Sequence, residues 1–294
     1  MALFTPEPGG PDENDKQAEV KTDPPKKKGR VLWIFVAIIC VSLAVACAFM
    51  LGGVWQAGRT QARIDEIAGR PVTPVAIATH TPAPDGPPRS EVPIPTPTPR
   101  PRRENEREIN FAELQSYNPD VIGWVEVPGT NIDYPIVTTL CNYHYLDHDL
   151  FGNSSEHGTI YTDIRNAPDW EDPFIILYGH NMADGSKFSN LHRFRDEDFF
   201  NENRRIIIYT PEGQLEFWVF AAYERDDAHV MGARNFRNRT VMREYLSGIE
   251  TVAGPGAQFD MENVSVADGI LTLSTCVTGD YSRRFLVQAI FVAP

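Results

Sequence analysis

The sequence predicts a mainly β protein, a barrel or curled sheet decorated by a few helices and preceded by one N-terminal transmembrane helix. Three observations predict it. Beyond Pro119, eight short runs rich in β-branched and aromatic residues follow one another. Helical signals between them are sparse, and residues 31–55 carry no charged side chain. With 294 residues and 42% apolar content, the chain has the material for a packed core.

Residues 1–30 are polar, end in "KKKGR" and read as a cytoplasmic tail. The run "VLWIFVAIICVSLAVACAFMLGGVW", residues 31–55, is long enough for a membrane anchor, because about 20 apolar residues cross the hydrocarbon. "ACA" at Ala46 to Ala48 has the small-x-small look of a signal-peptide cleavage site, but the long polar leader and the long apolar run favour an anchor. Lys21, Lys26, Lys27, Lys28 and Arg30 precede the span, against Arg59 and Arg63 after it. The expected location is therefore the cell membrane, single-pass, with the N-terminus in the cytoplasm and the rest outside. Residues 56–70 can continue as a short helix. Eleven prolines between Pro71 and Pro101 then make an extended stalk, so residues 56–104 read as a Pro-rich extracellular spacer.

The folded domain is expected over residues 105–294. Asn110 is placed to cap a helix, with Glu113 completing a capping box and Phe111 and Leu114 on one face. The strand-like runs are "VIGWVEV", "IDYPIVT", "GTIYTD", "FIILYG", "RRIIIYT", "QLEFWVFAAY", "ILTLST" and "RFLVQAIFV". Helices are expected at "DGSKFSNLHRF" and, more clearly, over Asn238–Glu250, which the loop "AGPG" ends. Loops between the strands would then build a site.

Charge and cysteine usage narrow the function classes. From residue 105 onward, 14 Lys+Arg stand against 29 Asp+Glu, a net of −15. So acidic a domain is a poor nucleic-acid binder, since neutralising phosphates needs a basic face. Only Cys141 and Cys276 lie outside the predicted span, too few for a disulfide framework. Nor does the acidic loop "NAPDWEDP" have the spacing of a calcium loop, and it reads as a solvated face. No metal and no cofactor are expected.

Cys276 closes a strand-like run and is followed, after a short turn, by Arg283 and Arg284. It can be a buried small hydrophobe, half of a Cys141–Cys276 bridge, or a nucleophile. A nucleophilic thiolate needs a partner that takes its proton and a donor that holds an oxyanion. Among seven histidines, His180 stands apart because it ends the run "FIILYGH", at the mouth of a sheet. His144, His148 and His157 read as loop histidines. A hairpin would set one arginine beside the thiol and the other on the opposite face, and alternation alone does not choose between them.

In order along the chain, "VIGWVEVPGTNIDYPIV", "CNYHYLDHDLFG", "GTIYTD", "YGHNMADGSKFSNL" and "TLSTC…RRFLV" resemble the sortases, membrane-anchored cysteine transpeptidases of Gram-positive bacteria, and class B in particular. The resemblance runs from about Asn110 to Phe291. It implies a closed eight-stranded β-barrel, with His180 as the catalytic histidine, Cys276 as the nucleophile and Arg284 as the catalytic arginine, Arg283 being the alternative. It also implies that Asn142, Leu146, Ser274 and Thr275 line a groove for the sorting signal. Helix 238–250 looks like the one that class B members insert before the cysteine strand. Cys141 stands where the family usually has an acidic residue, the family's aromatic near His144 is a further departure, and the turn from Val277 to Ser282 is short.

The implied reaction is acyl transfer in two steps. Cys276 attacks the carbonyl after threonine in a motif of the Asn-Pro-x-Thr type, and an amine from peptidoglycan or a pilin lysine resolves the thioester. The implied partners are surface proteins carrying a C-terminal sorting signal and an amine acceptor. Two other functions fit the residues: a hydrolytic cysteine peptidase, and an inactive binding domain on a stalk.

Overall fold

The computed structural model describes residues 39, 41–42, 58–67, 69, 107–262, 264–266 and 269–292. The tail 1–30, nearly all of the anchor 31–55 and most of the spacer 56–104 lie outside these residues. Ile39, Val41 and Ser42 are helical, and among the described residues no helix is long and apolar enough to cross a membrane.

Each expected strand forms. They are β1 (Val121–Glu126), β2 (Asp133–Val137), β3 (Ile160–Thr162), β4 (Phe174–Tyr178), β5 (Arg205–Thr210), β6 (Gly213–Asp226), β8 (Ile270–Val277) and β9 (Asp280–Phe291). The sheet runs β5-β1-β2-β3-β4-β8-β9-β6, and β6 pairs again with β5, so eight strands close into a barrel. Closure rests on the length of β6. Its first residues, Gly213 to Trp218, pair with β5, while Phe217 to Asp226 pair with β9. A ninth strand not expected from the sequence, β7 (Gln258–Phe259), adds two residues to the outside of β6.

Two pairings are parallel, β2 with β3 and β4 with β8. A parallel pair cannot be joined by a tight turn. Residues 138–159 therefore make a long crossover from β2 to β3, and everything from Gly179 to Gly269 intervenes between β4 and β8.

The barrel interior is filled by alternate residues such as Val125, Ile136, Ile160, Leu177, Ile208, Phe217, Leu273, Phe285 and Val287. Much of the outer face is covered too. Helix α1, residues 58–67, and α2 (Phe111–Tyr117) pack Ile64, Ile67, Phe111 and Leu114 on Trp124, Val137, Tyr161 and Tyr209. The start of the expected spacer is thus a helix that belongs to the folded domain. On another side, α4 (Arg239–Val252) packs Met242, Tyr245, Leu246 and Ile249 on Phe174, Phe220, Tyr223 and Leu286. Burial on both faces is why runs such as "RIIIYT" and "FIILY" are continuously apolar and do not alternate.

Asn110 caps α2 by accepting from the Glu113 amide at 3.1 Å. Its side-chain amide donates to the Glu113 carboxylate at 3.1 Å, so the two side chains brace each other at the start of the helix. Asn238 caps α4. The segment "SNLHRFR" is a 3-10 helix, Ser189–Arg195, and a short α3 (Glu197–Glu202), capped by Asp196, follows it.

Candidate active site

The β8–β9 hairpin turns through Thr278 and Gly279, where Gly279 takes φ +79°, a left-handed conformation that glycine adopts without strain. Val277 pairs with Asp280, but the next pair is Cys276 with Arg284. Tyr281, Ser282 and Arg283 therefore bulge from β9, and Asp280 holds the bulge by accepting from the Ser282 amide and hydroxyl. Directly opposed residues share a face, so Arg284 is the arginine beside the thiol. Arg283 points elsewhere and pairs with Glu224 at 3.1 Å. The Arg284 guanidinium folds back over the bulge, donating to the Tyr281 carbonyl at 2.7 Å and to the Arg283 carbonyl at 3.1 Å.

His180 reaches the same place from β4. Tyr178 pairs with Ser274, and the Gly179 amide continues the ladder to the Ser274 carbonyl at 3.1 Å. β4 ends at Tyr178, and His180, two residues on, lies beyond it toward the end of β8 that carries Cys276. A Cβ on Gly179 would lie 2.5 Å from Ile160 Cδ1 and 2.7 Å from the Phe188 ring, so only glycine lets β4 end this close to its neighbours. His180 Nε2 donates to the Leu146 carbonyl at 2.6 Å, which places the ring proton on Nε2 in this arrangement.

The backbone of Cys276 is held by two residues to which the sequence reading assigned no role. His192 Nε2 donates to the Cys276 carbonyl at 3.0 Å, and its ring lies 4.8 Å from that of Phe285. Asn181 Nδ2 donates to the same carbonyl at 3.1 Å and to Thr278 Oγ1 at 2.8 Å. Burial lowers the His192 pKa, so the ring is neutral and its single N–H is committed to Cys276. His192 lies 84 residues from Cys276 in sequence, and no local signal marks it.

Both cysteines are free thiols, Cys276 half-buried and Cys141 exposed, so the bridge between them is not formed. Of the expected groove residues, Leu146 is exposed at the end of a 3-10 turn, His144–Leu146. Ser274 shares the outer face with Cys276 and is buried. Thr275 differs from expectation. Alternation turns its side chain toward the barrel interior, where it is buried, and only its backbone faces the Cys276 side.

Asn142 braces the loops. It donates to Asp163 Oδ2 at 3.1 Å, accepts from the Ile164 amide at 2.8 Å, and its carbonyl accepts from the Tyr161 hydroxyl at 3.0 Å. Asp163, fully buried, also accepts from Tyr178, from His229 and from the Arg165 amide and guanidinium. Burial alone would raise its pKa, but the Arg165 hydrogen bonds, the His229 charge and the Tyr178 hydroxyl outweigh that and hold it below the usual carboxylate range. Tyr161 and Tyr178, whose rings lie 5.4 Å apart, are raised by burial and then by the Asp163 charge, and both stay protonated.

A thiol, an imidazole and a guanidinium thus converge at the ends of adjacent strands on the outer face of a barrel. Such a set can attack a carbonyl, shuttle a proton and steady an oxyanion. Comparison with known proteins gives the same direction. Residues 125–292 match the Sortase domain family. The chain is 34% identical to sortase B of Listeria monocytogenes over 178 residues, which are 60% of this chain and 71% of that protein. It is similar to the crystal structure of Clostridium perfringens sortase B, with a TM-score of 0.57 and 30% identity, covering 63% of this chain and all of that one. A sortase B–substrate complex from Staphylococcus aureus matches with a TM-score of 0.56 and 27% identity over 62% of this chain and 84% of that one.

Proposed function

Because this chain belongs to the class B sortases, a family of cysteine transpeptidases, we propose that it cleaves a C-terminal sorting signal after threonine and transfers the protein to an amine of peptidoglycan. The observation that carries this reading is the direct pairing of Cys276 with Arg284, with His180 just beyond the end of the neighbouring strand β4. In the first step Cys276 Sγ gives its proton to His180 and bonds to the threonine carbonyl carbon, the amide C–N bond breaks, and His180 passes that proton to the departing amine. In the second, an acceptor amine gives its proton to His180 and bonds to the acyl carbon as the thiolate leaves.

Arg284 supports the oxyanion in both steps, exchanging its bonds to the Tyr281 and Arg283 carbonyls for the substrate oxygen. His180 likewise gives up the Leu146 carbonyl when it moves a proton. Leu146, Ser274 and the backbone of Thr275 line the floor that the sorting motif, of Asn-Pro-x-Thr type, lies on, while Asn142 braces its wall. In the proposed setting the charge-free run 31–55 anchors the protein in the cell membrane and the barrel works outside it.

The test is intact mass of the full chain and of Cys276→Ala after incubation with sorting-motif peptides, with and without an added amine. An acyl adduct on the wild type alone, resolving to a peptide–amine product, supports the proposal. An adduct that goes only to water makes the protein a peptidase, and exclusive use of a lysine side chain points to pilin polymerisation. No adduct across the panel overturns the acyl-transfer reading.

A further inference from the structure

The pairing that sets Arg284 beside Cys276 continues one strand further. On its other side Arg284 pairs with Arg225 of β6, so a thiol and two guanidinium-bearing residues form one row across the outer face of β8, β9 and β6, about 10 Å from end to end at the backbone. Two cations directly opposite each other on a sheet are unfavourable. Arg225 is nonetheless 8% exposed. Its Nε and Nη2 both donate to Asp226 Oδ1, on a carboxylate that lies largely in solvent, and its Nη1 has no hydrogen-bond partner among the described residues. The proposed acyl transfer uses Arg284 and leaves Arg225 without a task.

Arg225 lines a cavity of about 560 Å³ between β6, residues 233–235 and α4. Val241, Tyr245 and Ile249 of α4 give it an apolar wall, and its charged residues are Arg225, Arg234 and Glu244. Arg234 Nη1 donates to the Val230 carbonyl at 2.8 Å, which leaves its Nε and Nη2 for a ligand. Burial raises the Tyr245 pKa and the Arg225 and Arg234 charges oppose it, so both cations act on the same hydroxyl. Two guanidiniums against one carboxylate make the lining net positive, in a domain whose net charge is −15. Asp226 and Asp227 are solvent-exposed and do not line the cavity. From Ala228 to Arg243 the chain carries four arginines and no Asp or Glu.

We propose, on the acyl-transfer reading of Cys276, that this cavity is a carboxylate subsite of the active site, where Arg225 and Arg234 bind a carboxylate carried by the sorting peptide or by the amine acceptor. Guanidinium donors match a carboxylate in geometry, and a largely buried guanidinium holds it more firmly than an exposed one. The apolar wall of α4 suits the carbon body that bears the charge. Its volume is that of an ordinary small-ligand site. A carboxylate on Arg225 also offsets the repulsion between the paired arginines and leaves Arg284 to the oxyanion. The row then keeps two negative charges apart, a transient one on Arg284 and a fixed one on Arg225. Helix α4 is thereby the wall of a reactant subsite as well as a cover for the sheet.

The experiment is calorimetric titration of the full chain carrying Cys276→Ala, so that binding is read without turnover, with two matched sets of probes. One set is Nα-acetyl-lysine and its amide, which differ in an acceptor carboxylate. The other is a sorting peptide of Asn-Pro-x-Thr type with Asp or with Asn at each position flanking the motif. Both are repeated with Arg225→Gln, with Arg234→Gln, and with Arg239→Gln, which removes the same charge outside the cavity. Thermal midpoints identify the folded variants, and the exposed Arg234 carries the test if Arg225→Gln does not fold. In one set the carboxylate form is expected to bind about tenfold more tightly than its neutral partner. That preference should be lost in Arg225→Gln, reduced in Arg234→Gln and kept in Arg239→Gln, and the set that shows it identifies the reactant. Absence of saturable binding, equal binding within both sets, a preference that survives both cavity variants, or one lost as fully in Arg239→Gln would overturn the proposal. Acyl transfer itself is judged separately, by the mass adducts on the wild type.

Discussion

Replacing Lys187 by methionine should make the protein more stable, by an amount that depends on pH. Burial is the main cause of the depressed Lys187 pKa, opposed by the Asp149 and Asp184 charges, and takes it from 10.5 to about 8. Each pKa unit corresponds to about 1.4 kcal/mol, so protonated Lys187 costs the folded state about 3 kcal/mol at pH 7. The sign follows from proton counting. Between about pH 8 and 10.5 the unfolded chain keeps a proton that the folded chain has released, so wild-type stability rises across that window. The cost is complete below the window and falls to about 1.4 kcal/mol at pH 9.5. Methionine fills a similar volume without charge but loses the contact with the Tyr134 ring, worth about 1 kcal/mol. The net gain should be about 2 kcal/mol at pH 7 and close to zero at pH 9.5. Urea denaturation of both proteins at the two pH values measures this, and taking the difference between them cancels titrations elsewhere. A variant that is less stable at pH 7, or a gain that does not shrink by pH 9.5, would refute the reasoning.

Three further outcomes follow from the site. Arg284→Ala should lower kcat for peptide–amine transfer by about 10²- to 10³-fold, whereas Arg283→Ala breaks only the pair with Glu224 and should leave kcat within about twofold; similar losses in both would mean that the register does not select the arginine. His192→Phe keeps the stack on Phe285 but removes one donor to the Cys276 carbonyl, and a drop of about tenfold in kcat with little change in KM is expected from steady-state kinetics; unchanged kcat would make the bond incidental. The folded-state pKa of Asp163 lies below its ordinary 3.8, so its contribution to stability is present above about pH 4 and is lost as pH falls through the lower folded value. Asp163→Asn should therefore flatten the acid limb of the stability curve, read by denaturant midpoints between about pH 4 and 2, and an unaltered limb would assign acid sensitivity to other carboxylates.

The eight barrel strands were legible because each is a compact run of β-branched and aromatic residues between turn formers, and Asn110 and Asn238 marked two helix starts. β7 was not, since two residues carry no period. Helix α3 hid because "EDFFNE" spans under two turns, although Asp196 before an acidic first turn was a usable cap signal. In the site, His180 and Cys276 showed themselves as polar residues closing apolar runs. The choice between Arg283 and Arg284 depended on a three-residue bulge that no alternation rule supplies. Thr275 could have been turned inward by alternation from Cys276 alone. His192, Asn181 and the Asp163 cluster depend on contacts between distant segments, which local pattern does not encode.

The place of β8 in the ring sets the order in which reactivity can appear. The strand bearing Cys276 inserts between β4 and β9, and β9 in turn joins β6, so the β8–β9 hairpin is the piece that seals the barrel. A chain synthesised from its N-terminus has β4 and β6 in hand but leaves both with open edges until β8 and β9 emerge. Its histidine then has no thiol beside it. Cys276, Arg284 and the seal arrive as one unit, so under the proposed mechanism the same event that completes the barrel also assembles the site.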